Sequence, residues 1–80
     1  MPTKVMDVYV EFEDPQQAKT VGADLCWPPP DSLVLRCAGD SNPHVLQILL
    51  RGDITPDQLA AFAQKIGAKR VTHNHQQLYP

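Results

Sequence analysis

Cysteine is scarce in this chain. Cys26 and Cys37 are the only two in 80 residues, whereas a secreted domain of this length stapled by disulfides carries about four or more. Both read as buried thiols, with one disulfide between them as the alternative. Long apolar runs are missing too. Nothing approaches the roughly 18 consecutive apolar residues of a membrane helix, and Met1-Pro2-Thr3-Lys4 lacks the apolar region of a secretory signal. The expectation is a cytoplasmic protein with no membrane partner. Glycine occurs four times, at isolated positions (Gly22, Gly39, Gly52, Gly67), which excludes a glycine-rich phosphate loop. A dominant charge of one sign is also absent. The net charge is −2, so the broad positive field behind non-specific nucleic-acid binding is missing. The signs are unevenly placed, with seven acids against three bases in residues 1 to 40 and two against four in residues 41 to 80.

What is present is a clear alternation of periods. From Lys4 to Glu13, Met6, Val8, Val10 and Phe12 fall on one side and Asp7, Tyr9, Glu11 and Glu13 on the other, the pattern of a half-buried strand. Asp14-Pro15-Gln16-Gln17 then supplies an N-cap, a proline at the first helical position and a glutamine three residues after the cap. Ala18 and Val21 form that helix's buried stripe. Gly22 and the Trp27-Pro28-Pro29-Pro30 segment predict a short helix, because successive prolines lack donors and force extended backbone.

Ser32 to Cys37 alternates again, with Leu33, Leu35 and Cys37 opposite Val34 and Arg36. Gly39 to Pro43 reads as a turn. His44 to Arg51 is apolar on both sides, which predicts a central strand hairpinned to the previous one. Thr55-Pro56-Asp57-Gln58 is a capping box with proline at N1, Ile54 and Leu59 fit a hydrophobic staple, and Leu59, Phe62, Ala63 and Ile66 make a helical stripe ended by Gly67. Arg70 to Thr72 is a last short strand before a polar tail. The order predicts a single α+β domain, a ferredoxin-like βαββαβ sandwich with a short first helix and a four-stranded antiparallel sheet open on one face.

Candidate chemistry is thin. His73-Asn74-His75, if on a strand, points two imidazoles the same way and makes a small metal-binding protein an alternative. The leading reading is a solvated segment with no metal and no cofactor. A nucleophile needs a positioned base and a third orienting group; Ser32 and Ser41 are the only serines, in turn or strand-edge context, and Cys26 has no basic neighbour in sequence, so an enzyme is not expected. Tyr9-Val10-Glu11-Phe12-Glu13-Asp14-Pro15 followed by Gln16-Gln17-Ala18 resembles a strand end and helix start of RNA-recognition-motif domains over about ten residues. The basic and glycine positions that open that motif are Val5 and Met6 here, and its next aromatic is Asp7. RNA or single-stranded nucleic-acid binding through Lys65, Lys69, Arg70 and the histidines is the second alternative, while helix-dipole placement and solvation account for the same cations. Trp27 to Pro30 could lie as a polyproline helix in a partner's groove, or close over its own core.

The open sheet face is the most informative expectation. It is expected to show Tyr9, Val34, Val45 and Leu49 among Asp7, Glu11, Arg36 and Arg51, with Val5 and Gln47 beside them. An apolar group rimmed by charge marks an association surface. These eight residues are the candidate partner-binding set, for a protein partner or a homodimer. The implied function is a non-catalytic protein-binding module, a small regulator or inhibitor of the type carried by phages or mobile elements.

Overall fold

A computed structural model describes residues 4–25 and 32–80. The elements run β1 (Val5–Glu11), α1 (Pro15–Leu25), β2 (Val34–Gly39), β3 (Val45–Arg51), α2 (Pro56–Ile66), β4 (Arg70–His73) and β5 (Gln76–Tyr79). All strand pairs are antiparallel, and the sheet order is β2-β3-β1-β4-β5. The expected α+β architecture is present, and β1 and β3 lie inside the sheet. The sheet has five strands where four were expected.

One side of the sheet carries the core. Val8, Val10 and Phe12 of the β1 segment, Leu46, Ile48 and Leu50 of β3, and Val71 of β4 form one buried cluster with Ala18 of α1 and Leu59 and Ala63 of α2. Alternation in β1 and β3 places their remaining residues on the opposite side, which no helix residue of that cluster covers.

Both helices begin as their sequences dictate. Asp14 Oδ1 accepts from the Gln16 N–H at 2.8 Å. Thr55 and Gln58 exchange the two capping-box bonds, at 2.8 and 3.1 Å. Gln17 differs from its expected role as capping-box partner of Asp14. Its Nε2 instead donates to the carbonyl oxygens of Ile66 and Gly67, at 3.4 and 3.0 Å, closing the end of α2 from across the helix pair.

The expected short first helix is a second correction. α1 has 11 residues, the same as α2. It passes through Gly22, where a Cβ would stand 3.2 Å from a Leu46 methyl, so the missing side chain lets the helix lie close on β3. Gly67 ends α2 at φ +73°. Its N–H donates to Gln64 O and the Ala68 N–H to Ala63 O, the paired bonds of a Schellman motif.

The polar tail is the third correction. Asn74 and His75, at φ +50° and +66°, turn the chain so that Gln76–Tyr79 pairs with β4. A two-residue turn with both central φ values positive is the mirror-image type that matches strand twist, and Asn and His tolerate that region better than most residues. Tyr79 packs against the core from this added strand.

Candidate docking surface

Strand registers lay out the open face row by row. Arg36 of β2, Leu49 of β3 and Asp7 of β1 are cross-strand neighbours in one row. Ala38, Gln47, Tyr9 and Thr72 occupy the next. Arg51 pairs with Val5 at one end, and Val45 and Arg70 flank Glu11 at the other. Tyr9 is 45% exposed and Val5 54%. Asp7 and Arg36 are exposed, while Val45, Gln47, Leu49 and Arg51 are half-buried. A shallow depression is lined by Asp7, Arg36, Ala38, Gln47 and Leu49.

Val34 does not belong to this set. It is only 3% exposed and pairs with Leu50, on the core side. Simple alternation put it outside, but the β2–β3 register shifts between Val34 and Arg36. Leu35 is the extra residue of this bulge, so Val34 and Cys37 both turn inward while Arg36 stays out. Leu35 is 38% exposed and lines a surface hollow with Lys4, Arg51 and Asp53. Leu35 and Ala38 are the surface residues that sequence reading missed: a bulge leaves no mark on composition, and the strand read from Ser32 to Cys37 stopped one residue short of Ala38.

Charge at the Glu11 end of the face is already spoken for. Lys69 Nζ lies 3.6 Å from a Glu11 carboxylate oxygen and 3.9 Å from one of Glu13, and Arg70 lies 3.8 Å from Glu11. The Lys69 N–H also donates to Glu11 O at 2.8 Å. Two of the three cations proposed for phosphate contacts are thus directed at carboxylates of the same chain. Glu11 in turn has neighbours of its own. Arg36 and Asp7, two strands apart, make no ion pair among the described residues.

The histidine pair is also placed differently from the strand geometry expected of it. His75 lies in the turn, and His73 ends β4 with its Nδ1 2.7 Å from the Asp7 carbonyl oxygen, an N–H donating where the ladder stops. Asn74 Nδ2 stands 3.3 Å from His73 Nε2. His73 and His75 therefore do not share a strand face. Among the described residues no group of three His, Cys, Asp or Glu side chains converges.

Cys37 is half-buried and packs on the core. Cys26 and the Trp27 to Pro30 segment lie outside the described residues. On the helix side, Leu25, Leu33, Phe62 and Ile66 line an apolar groove whose polar members are Ser32, Gln58 and Lys65, a set without an acid–base pair. No helix among the described residues is long and apolar enough to cross a membrane. Compared with family models, curated proteins and solved structures, the chain matches none.

Proposed function

We propose that this chain is a non-catalytic protein-binding module, a small regulator or inhibitor acting in the cytoplasm. In this reading β1 to β4 and the two helices form a ferredoxin-like βαββαβ unit, widened by β5. The order β2-β3-β1-β4 supports that topology. The observation that carries the function is the sheet face that no described helix covers, with Tyr9 exposed beside Leu49 and the charges of Asp7 and Arg36 around them. Aromatic anchors at the centre of a patch with a polar rim are the usual composition of a protein interface. Tyr9 is the anchor, Leu49 and Val45 extend the apolar contact, and Asp7, Arg36 and Arg51 set orientation.

The double variant Tyr9→Ala, Leu49→Asp tests this reading. The wild-type chain, used as bait in extract of its own cells, retains a protein identified by mass spectrometry, and the variant loses it with a thermal midpoint within a few degrees of wild type. Undiminished retention by the variant removes this face from the function.

A further inference from the structure

The registers of the open face make it complementary to itself. Arg36 and Asp7 stand in one row on either side of Leu49, and Ala38 and Tyr9 stand in the next row on either side of Gln47. β3 runs between them. A two-fold axis laid along β3, midway between two stacked sheets, exchanges β2 of one copy with β1 of the other. It therefore sets Arg36 over Asp7 of the second copy and Ala38 over its Tyr9, twice each, with Leu49 meeting Leu49 on the axis.

The Arg36–Asp7, Ala38–Tyr9 and Leu49–Leu49 superpositions are favourable chemistry. The guanidinium and carboxylate are opposite charges that make no ion pair among the described residues of one copy. Sheets stack about 10 Å apart, close enough for an Arg and an Asp side chain to meet. Ala38 is the smallest side chain of its row, and it lines the same depression as Asp7, Arg36, Gln47 and Leu49. A tyrosine ring from the opposite sheet fills that depression, as a knob enters a hole. The overlap also selects the apolar part of the face. β2, β3 and β1 carry Leu49, Val45, Ala38 and Tyr9, whereas the outward residues of β4 are Thr72 and Arg70, and Arg70 is already turned toward Glu11.

We infer that this face is occupied by a second copy of the chain, packed sheet to sheet about a two-fold axis along β3. The inference rests on the docking-surface reading above and names its partner. Three overlapping strands about 4.8 Å apart cover only a few hundred Å² per copy, below the roughly 800 Å² per partner of a standard interface. The dimer is accordingly reversible, with a dissociation constant in the micromolar range or weaker. Gln47 meets Gln47 and Arg51 meets Arg51 on the axis, the latter a like-charge contact at its end.

Charge reversal tests the pairing directly. Sedimentation equilibrium of the full chain, from low micromolar to near-millimolar concentration, gives a mass rising from one copy toward two. Asp7→Arg alone and Arg36→Asp alone each weaken association by about tenfold or more, since both put like charges opposite each other. An equimolar mixture of these two variants restores it, because in the mixed pair each reversed residue faces its opposite, and the double variant Asp7→Arg, Arg36→Asp does the same. Both positions are exposed, and circular dichroism with thermal midpoints verifies that every variant is folded. A mass of one copy throughout overturns the second-copy inference, as does a dimer indifferent to either reversal, or loss without recovery on mixing. If the chain is monomeric yet Tyr9→Ala, Leu49→Asp loses a different retained protein, the docking surface stands and only its partner was misassigned.

Discussion

Gly67 is asked for two things that no other residue supplies together. Its φ of +73° lies in the left-handed region, and a Cβ there would run into the Gln17 side-chain amide. Gly67→Ala therefore costs about 2 kcal/mol, the left-handed penalty together with displacement of the Gln17 cap, and lowers the thermal midpoint by roughly 10 °C. Sequence reading placed Gly67 as a helix terminator because stripe and terminator are local signals. It had no means of assigning Gln17 to the far helix, since that contact joins residues remote in the chain. Asp40 shows the same division. Its side chain accepts from Gln47 Nε2 at 2.8 Å and from the Asn42 N–H at 3.2 Å, and these bonds, the Gln47 bond foremost, hold its carboxyl below the ordinary 3.8. A carboxyl lowered by folding contributes stability above its unfolded pKa, and that contribution is lost as pH falls through the folded value. Acid titration of the thermal midpoint is expected to fall less steeply for Asp40→Asn than for wild type below about pH 4.

At the scale of elements, the end of the chain holds the largest surprise. Val71, His73 and the two glutamines carry weak strand patterning, and His73-Asn74-His75 attracts a metal reading because of its imidazoles. The backbone instead uses Asn74 and His75 for a turn that normally favours Asn-Gly. His75→Gly completes that preferred pair and is expected to stabilise the protein by about 0.5 kcal/mol, the relief of left-handed strain exceeding glycine's entropic cost. A thermal midpoint raised by roughly 2–4 °C verifies it; a lowered midpoint would mean that the imidazole contributes more than its backbone conformation costs. β1, β3 and α2 were legible because each keeps one period along its whole length. β2 was half legible: its bulge breaks the period of two between Val34 and Arg36, and one inserted residue moved Val34 from the surface to the core. α1 was underestimated because Gly22 counts against a helix by propensity, whereas packing on Leu46 makes its missing side chain an advantage.

Viewed whole, the molecule is a sheet with helices on one side and a mixed apolar and charged surface on the other. The two-layer arrangement was legible because period-two and period-3.6 segments alternate in an order that few topologies satisfy. Seven of the eight residues named for the open face are found there, and Glu11 among them is engaged by Lys69 and Arg70. The role of each depends on neighbours across the sheet, and sequence alone does not supply the register that identifies them. The two rims of the sheet bear on how such a chain meets its own kind. On one, the bulge at Leu35 twists backbone groups out of line; on the other, β5 is only four residues long. Irregular and abbreviated borders are poor templates for another strand. Growth along a border can continue without limit into a fibre, but union across the flat closes at two. A crowded solution of this chain is thereby steered away from endless strand-to-strand stacks.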